Sequence, residues 1–181
     1  MALVNSNRVT IDGISTAALK FQFSPKKRTV CIDGKPISFV SKKYLVLNKP
    51  AGYSCQKNGN FPYVVSLLAC DDATKNSLFP IGRLDVPTTG LLIITNDGTL
   101  SALLAEPKRN VTKTYHALLK QKITDEQIIK LRQGVIIQVD GEEYKTLPPK
   151  VNKISWKSEN NIEIIITEGK YRQVRKMLEA V

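Results

Sequence analysis

Between Val135 and Thr167 three strand-like runs, VIIQV, KVNKISW and NIEIIIT, succeed one another with nothing between them that reads as a crossover helix. Parallel neighbours need a connection of a dozen or more residues, usually helical, whereas antiparallel neighbours need only a turn. An all-parallel, doubly wound sheet is therefore excluded, and an antiparallel or mixed one fits. Elsewhere strands and helices are interspersed. YLVLN from Tyr44 reads as a buried strand, Lys49 to Tyr53 as a loop, Val64 to Ala69 as a short helix, Leu91 to Thr95 as a second buried strand, and Lys113 to Leu119 as a third. Leu100, Leu103 and Leu104 repeat at helical spacing after an Asn-Asp-Gly turn, and Pro107 stops that helix. Thr124-Asp-Glu-Gln127 is a capping box that opens a helix ended by Gly134, and Val174, Met177, Leu178 and Val181 mark one apolar face of a final helix. The expected class is α+β, a mixed and largely antiparallel sheet with flanking helices.

The first forty residues differ in texture. They carry a loose echo, Arg8-Val-Thr-Ile-Asp-Gly13 and Arg28-Thr-Val-Cys-Ile-Asp-Gly34, each a short β-rich run ending in the turn dipeptide Asp-Gly. With Lys26, Lys27, Arg28, Lys42 and Lys43 around them, they form a small basic β module with a boundary near Ser41, so the chain divides into residues 1–41 and 42–181. The final helix meets no Gly or Pro stop, and the first β run begins almost at the N-terminus with nothing packed before it. Flanking segments are expected at both ends.

Charge narrows the choice of partner. Against 16 acidic residues stand 27 Lys and Arg, a formal net charge of +11, which favours polyanions. No apolar run approaches the roughly 20 residues a bilayer demands, and MALVNSNRV lacks an apolar core of signal-peptide length. Three widely spaced cysteines, Cys31, Cys55 and Cys70, argue against a disulfide framework and for a reducing cytoplasm. His116 is the only histidine, so zinc sites and histidine triads lose most of their ligands and bases, and a carboxylate leads the catalytic candidates.

Asp85, in Phe79–Gly98 (FPIGRLDVPTTGLLIITNDG), sits on a Gly- and Pro-bounded turn at the mouth of an apolar strand, the placement of a functional carboxylate on a rigid support. Alone, an Asp in such a turn is more often a cap. Two further groups add weight: Lys113-Thr-Tyr115, and Glu168 to Lys176 (EGKYRQVRK), whose Arg172, Arg175 and Lys176 lie at i, i+3 and i+4 of the final helix and share a face away from Val174 and Leu178. A basic face by itself is usually just solvated.

The order GRLD, TTGLLIITNDG, a Pro-ended helix, KTY and EGKYRQVRKM resembles the RsuA-like family of ribosomal RNA pseudouridine synthases from about Tyr44 to Val181. Gly134 to Gly141 with Pro148-Pro149 looks like its small-subunit branch, although Pro87 stands where members often carry a polar or acidic residue. The resemblance implies a pseudouridine synthase fold in residues 42–181, lacking a C-terminal piece, behind a partial RNA-binding domain of ribosomal-protein S4 type in 1–41. It implies isomerisation of a uridine in small-subunit ribosomal RNA by a cytoplasmic monomer, without cofactor or metal. It assigns catalysis to Asp85, Tyr115 and Arg175, occupation of the space left by the flipped base to Arg83, and RNA contacts to Lys113, Arg172 and Lys176. Leu91 and Val174 become apolar supports. The alternative is a non-catalytic basic RNA-binding or ribosome-assembly protein, which shares the charge and the front module but does not require the Asp85, Tyr115 and Arg175 set.

Overall fold

Both Asp-Gly pairs of the front module turn hairpins, because Asp12, Gly13, Asp33 and Gly34 all take positive φ (50°, 82°, 52° and 75°), the backbone that a two-residue hairpin loop of this hand requires. The computed structural model describes residues 2–15, 22–24, 27–37, 41–154 and 160–181; Lys26, Ser155 and Trp156, named above, lie outside them. Strands β1 (Val9–Ile11), β2 (Ile14–Ser15), β3 (Val30–Ile32) and β4 (Lys35–Pro36) form an antiparallel sheet in the order β2-β1-β3-β4. The sequence echo is mutual in space. Arg8 donates to Asp33, and Arg28 donates to Asp12 at 2.6 Å, so each arginine opens one run and binds the turn of the other. A short helix, α1 (Ala2–Asn5), precedes β1 where nothing was expected; four residues are too few to show an apolar period.

From Tyr44 onward every ladder between named strands is antiparallel, as the missing crossovers require. Strands β5 (Tyr44–Lys49), β6 (Phe79–Ile81) and β7 (Gly90–Thr95) pair in the order β5-β7-β6. Strand β8 (Lys113–Leu118) joins β11 (Lys150–Lys153) and β12 (Asn161–Ile166) in the order β11-β12-β8, and β9 (Ile136–Val139) and β10 (Glu142–Lys145) make a hairpin.

The first of these sheets corrects an expectation. Strands β5 and β7 are covered on one face only among the described residues. Leu45, Leu47, Leu92 and Ile94 pack with Val64, Val65 and Leu78, while Tyr44, Val46 and Leu91 are 55%, 74% and 69% exposed. Leu91 is thus no apolar support. Strand geometry sends successive side chains to opposite faces, and an unbroken run of Leu and Ile hides that alternation. The predicted helix at 64–69 is a 3₁₀ turn, Val64–Leu67, followed by an unanticipated helix α2 (Asp72–Ser77), which Asp71 caps by accepting the Thr74 N–H.

The second core joins β8, β11 and β12 to two helices. Met177 of α5 (Gln173–Glu179) and Ile128 and Leu131 of α4 (Asp125–Arg132) bury themselves against Val151, Ile162, Ile164 and Ile166, with Val174 packed partly buried alongside. Thr124 and Gln127 make both bonds of the capping box. Gly134 follows α4 at φ +74°, where a Cβ would lie 2.3 Å from the Thr146 carbonyl, so only glycine fits. The third helix, α3 (Gly98–Ala105), starts at Asp97, whose carboxylate accepts from the N–H groups of Thr99 and Leu100.

Candidate active site

The chain leaves β6 through Gly82, whose φ of +76° lies in the left-handed region that favours glycine. It then runs through Arg83, Leu84 and Asp85 into a turn closed by the Thr88 N–H on the Asp85 carbonyl at 2.9 Å, with Val86 and Pro87 at its corner. Three neighbours brace this turn. The Gly52 N–H donates to the Val86 carbonyl (2.9 Å), and the Leu84 N–H meets the Cys55 Sγ at 3.4 Å. Beneath them Lys49, fully buried, aims its ammonium at four carbonyl oxygens: Thr88 (2.8 Å), Pro50 (3.0 Å), Asp85 (3.2 Å) and Val86 (3.2 Å). Burial pulls that ammonium below its ordinary pKa, against the charges of Cys55 and Asp85, which raise it.

Across the gap stands α5. Its Arg175 donates from Nε to Asp85 Oδ2 at 3.2 Å and reaches Thr88 Oγ1 with Nη2 at 3.4 Å. Ninety residues separate the two charges in sequence, and both side chains keep partial access to solvent, 29% for Asp85 and 42% for Arg175. The start of α5 is fixed by Glu168, whose carboxylate accepts from the Tyr144 hydroxyl (2.6 Å), the Leu147 N–H (2.9 Å) and the Gln173 amide. The Glu168 bond, with burial behind it, pushes the Tyr144 phenol up.

Tyr115 points inward from β8 beside Lys113 and Ala117 and is partly buried. Burial first, and the Asp85 charge second, raise its phenol above the ordinary value, so it stays protonated and able to donate at neutral pH. Asp85, Tyr115 and Arg175, from three separated motifs, thus share one electrostatic neighbourhood.

The remaining candidates are dispersed. Arg83 is exposed, with no bond to another described residue. Lys113 is partly buried, its ammonium 3.4 Å from the Val111 carbonyl. Arg172 is not on the helix but precedes it at φ +53°, so the shared basic face expected of Arg172, Arg175 and Lys176 does not form. Lys176 gives its ammonium to the Gln138 carbonyl and lies 5.2 Å from the Tyr171 ring. Among the described residues no group of three or more His, Cys, Asp or Glu side chains could hold a metal ion, and no helix is long and apolar enough to cross a membrane.

Sequence reasoning missed Lys49, Cys55, Thr88 and Glu168. For Lys49 a signal existed: Leu45, Leu47 and Lys49 share one face of β5 by alternation, which turns the lysine inward.

The sequence model of the family described as RNA pseudouridylate synthase matches residues 43–180. An uncharacterised RNA pseudouridine synthase of Bacillus subtilis is 39% identical over 182 residues, covering 99% of this chain and 74% of the relative. The ribosomal small subunit pseudouridine synthase A of Salmonella typhimurium is 33% identical over 180 residues, 98% of this chain and 74% of that protein. A crystal structure of a pseudouridylate synthase superposes with a TM-score of 0.70 at 27% identity, over 99% of this chain and 74% of the other.

Proposed function

The chain belongs to the RNA pseudouridylate synthase family, and on that premise we propose that it converts a uridine of small-subunit ribosomal RNA to pseudouridine with Asp85 as its carboxylate. The reaction breaks the N1–C1′ bond and joins C1′ to C5; C5 loses a proton and N1 gains one. Atoms and oxidation state balance without an external group, so the chemistry asks for no cofactor.

Asp85 supplies negative charge beside the sugar and base. Arg175 orients it through the Nε contact at 3.2 Å. Tyr115 offers an aromatic face for the detached uracil and a protonated hydroxyl for hydrogen bonding. A uridine in structured RNA must first leave its stack, which costs a few kcal/mol; Arg83, exposed two residues before Asp85, occupies the vacated space. Lys113, Arg172 and Lys176 contact the RNA around it. Residues 1–41 act as a small RNA-binding module of S4 type, residues 42–181 as the catalytic domain, and the protein works as a cytoplasmic monomer.

The observation that carries this reading is the Asp85–Arg175 pair. RNA binding alone has no use for a carboxylate held at the head of a braced turn by a cation from the far end of the chain. The test is Asp85→Asn, nearly isosteric, in single-turnover conversion of uridine beside equilibrium binding on one ribosomal RNA fragment. Conversion should fall by several powers of ten while affinity stays level or rises slightly. Activity within a few-fold of the unaltered protein would remove Asp85 from the mechanism; no conversion by the unaltered protein on any ribosomal RNA would favour a binding role.

A further inference from the structure

We propose that Thr88 is a positioning residue for the reaction, its hydroxyl fixing the Arg175 guanidinium so that the fork meets Asp85 in one orientation. The inference rests on the role given above to the Asp85–Arg175 pair and extends it to the residue that sets the pair's geometry.

Thr88 is bonded through all three of its polar groups, and each bond leads to Asp85 or to its support. Its N–H closes the turn on the Asp85 carbonyl (2.9 Å), its carbonyl accepts the shortest of the four Lys49 bonds (2.8 Å), and its Oγ1 receives Arg175 Nη2 (3.4 Å). The first two bonds hold the Thr88 backbone rigid against the Asp85 backbone, so the hydroxyl stands at a fixed offset from the carboxylate. Arg175 touches the carboxylate through Nε alone, at 3.2 Å. A guanidinium held at one nitrogen can swing about that contact, and its side chain is 42% exposed to competing water. A second contact at Nη2 removes the swing: planar guanidinium recognition draws its direction from two bonded nitrogens.

The neighbouring residues do not supply this. Val86 and Pro87 have no side-chain acceptor, and the Lys49 ammonium, a donor only, cannot accept from a guanidinium.

Thr88→Val keeps the branched shape and both backbone bonds and removes only the hydroxyl; Thr88→Ser keeps the hydroxyl. In single-turnover conversion on saturating RNA, Thr88→Val should slow the reaction about tenfold, the scale of one hydrogen bond to a charged group. RNA affinity and melting temperature should stay near those of the unaltered protein, and Thr88→Ser should keep its rate within about twofold of that protein. In an Arg175→Met background Thr88→Val should cost nothing further, because its partner is gone. Equal rates for Thr88→Val and an active unaltered protein would overturn the proposal. So would equal losses in Thr88→Val and Thr88→Ser, which assign the effect to packing, or a loss of affinity matching the loss of rate, which makes Thr88 an RNA contact. An unaltered protein that converts no uridine would fail the proposed function instead.

Discussion

Lys49 carries a positive charge at zero exposure with no ion pair among the described residues, and two effects compete there. Desolvation disfavours the ammonium, which is why its pKa is drawn down; the Pro50 and Thr88 carbonyls would otherwise be left short of donors, whereas those of Asp85 and Val86 also accept from the Thr88 and Gly52 N–H groups. Lys49→Met settles which dominates. It removes the burdened charge but strands carbonyls at roughly 1–3 kcal/mol for each one that water cannot reach, so the net effect should be a loss of about 2 kcal/mol, seen as a lower urea midpoint at unchanged slope. Single-turnover conversion should fall as well, since three of the carbonyls belong to residues 85, 86 and 88. Unchanged stability and rate would mean that the turn holds itself. The contrast with Asp85 shows what a sequence exposes at this scale. Asp85 announces itself, a carboxylate between Gly82 and Pro87 beside an apolar strand. Lys49 is marked only by the alternation along β5 that turns it inward, and no spacing rule marks Thr88, whose bonds run through its backbone and a single hydroxyl.

Among the elements, the turn between β7 and α3 has a wider task than starting a helix. Asp97 accepts from the Lys42 ammonium and the Tyr44 hydroxyl, both at 2.8 Å, as well as capping α3. Asn96 bonds the Lys43 N–H and the Ser41 carbonyl, and Thr95 donates to the Lys43 carbonyl. Residues 41–44, where the chain enters β5, are thereby fastened to this turn. Lys42, then Tyr44, hold the Asp97 carboxyl down at about 2. A depressed carboxyl contributes stability that is present in full above the unfolded value near 4 and lost as pH falls toward 2. Asp97→Asn can still cap but cannot titrate; it should be less stable at pH 6 and lose less on acidification from pH 4 to 2 in thermal melts. Parallel melting curves for the two proteins would free Asp97 from this role. Helices α3 and α4 were legible because they combine caps or stops with an apolar stripe, and α5 through its apolar face alone. Helix α2 (DATKNS) and strand β10 (EEYK) were not, being short and polar, and the bare faces of β5 and β7 were masked by their own apolar content.

For the whole molecule the net charge of +11 was plain in the composition, but which cations can meet a polyanion depends on the fold. Arg8, Arg28, Lys42, Arg109 and Lys153 are paired with Asp33, Asp12, Asp97, Glu106 and Asp125, and a cation that already has a carboxylate releases fewer counterions on binding. Arg172, exposed at the start of α5, has no such partner among the described residues. Affinity for a ribosomal RNA fragment should therefore fall with salt, each phosphate contact adding about −0.7 to −0.9 to the slope of log K against log salt. Arg172→Met should flatten that slope by about one contact. Arg28→Met should leave it nearly unchanged, because its charge is already answered by Asp12. Filter binding from low to moderate salt separates the two. Equal flattening by both variants would show that RNA draws Arg28 out of its ion pair and that the front module's charges count in full. No flattening by Arg172→Met would remove Arg172 from the RNA contacts.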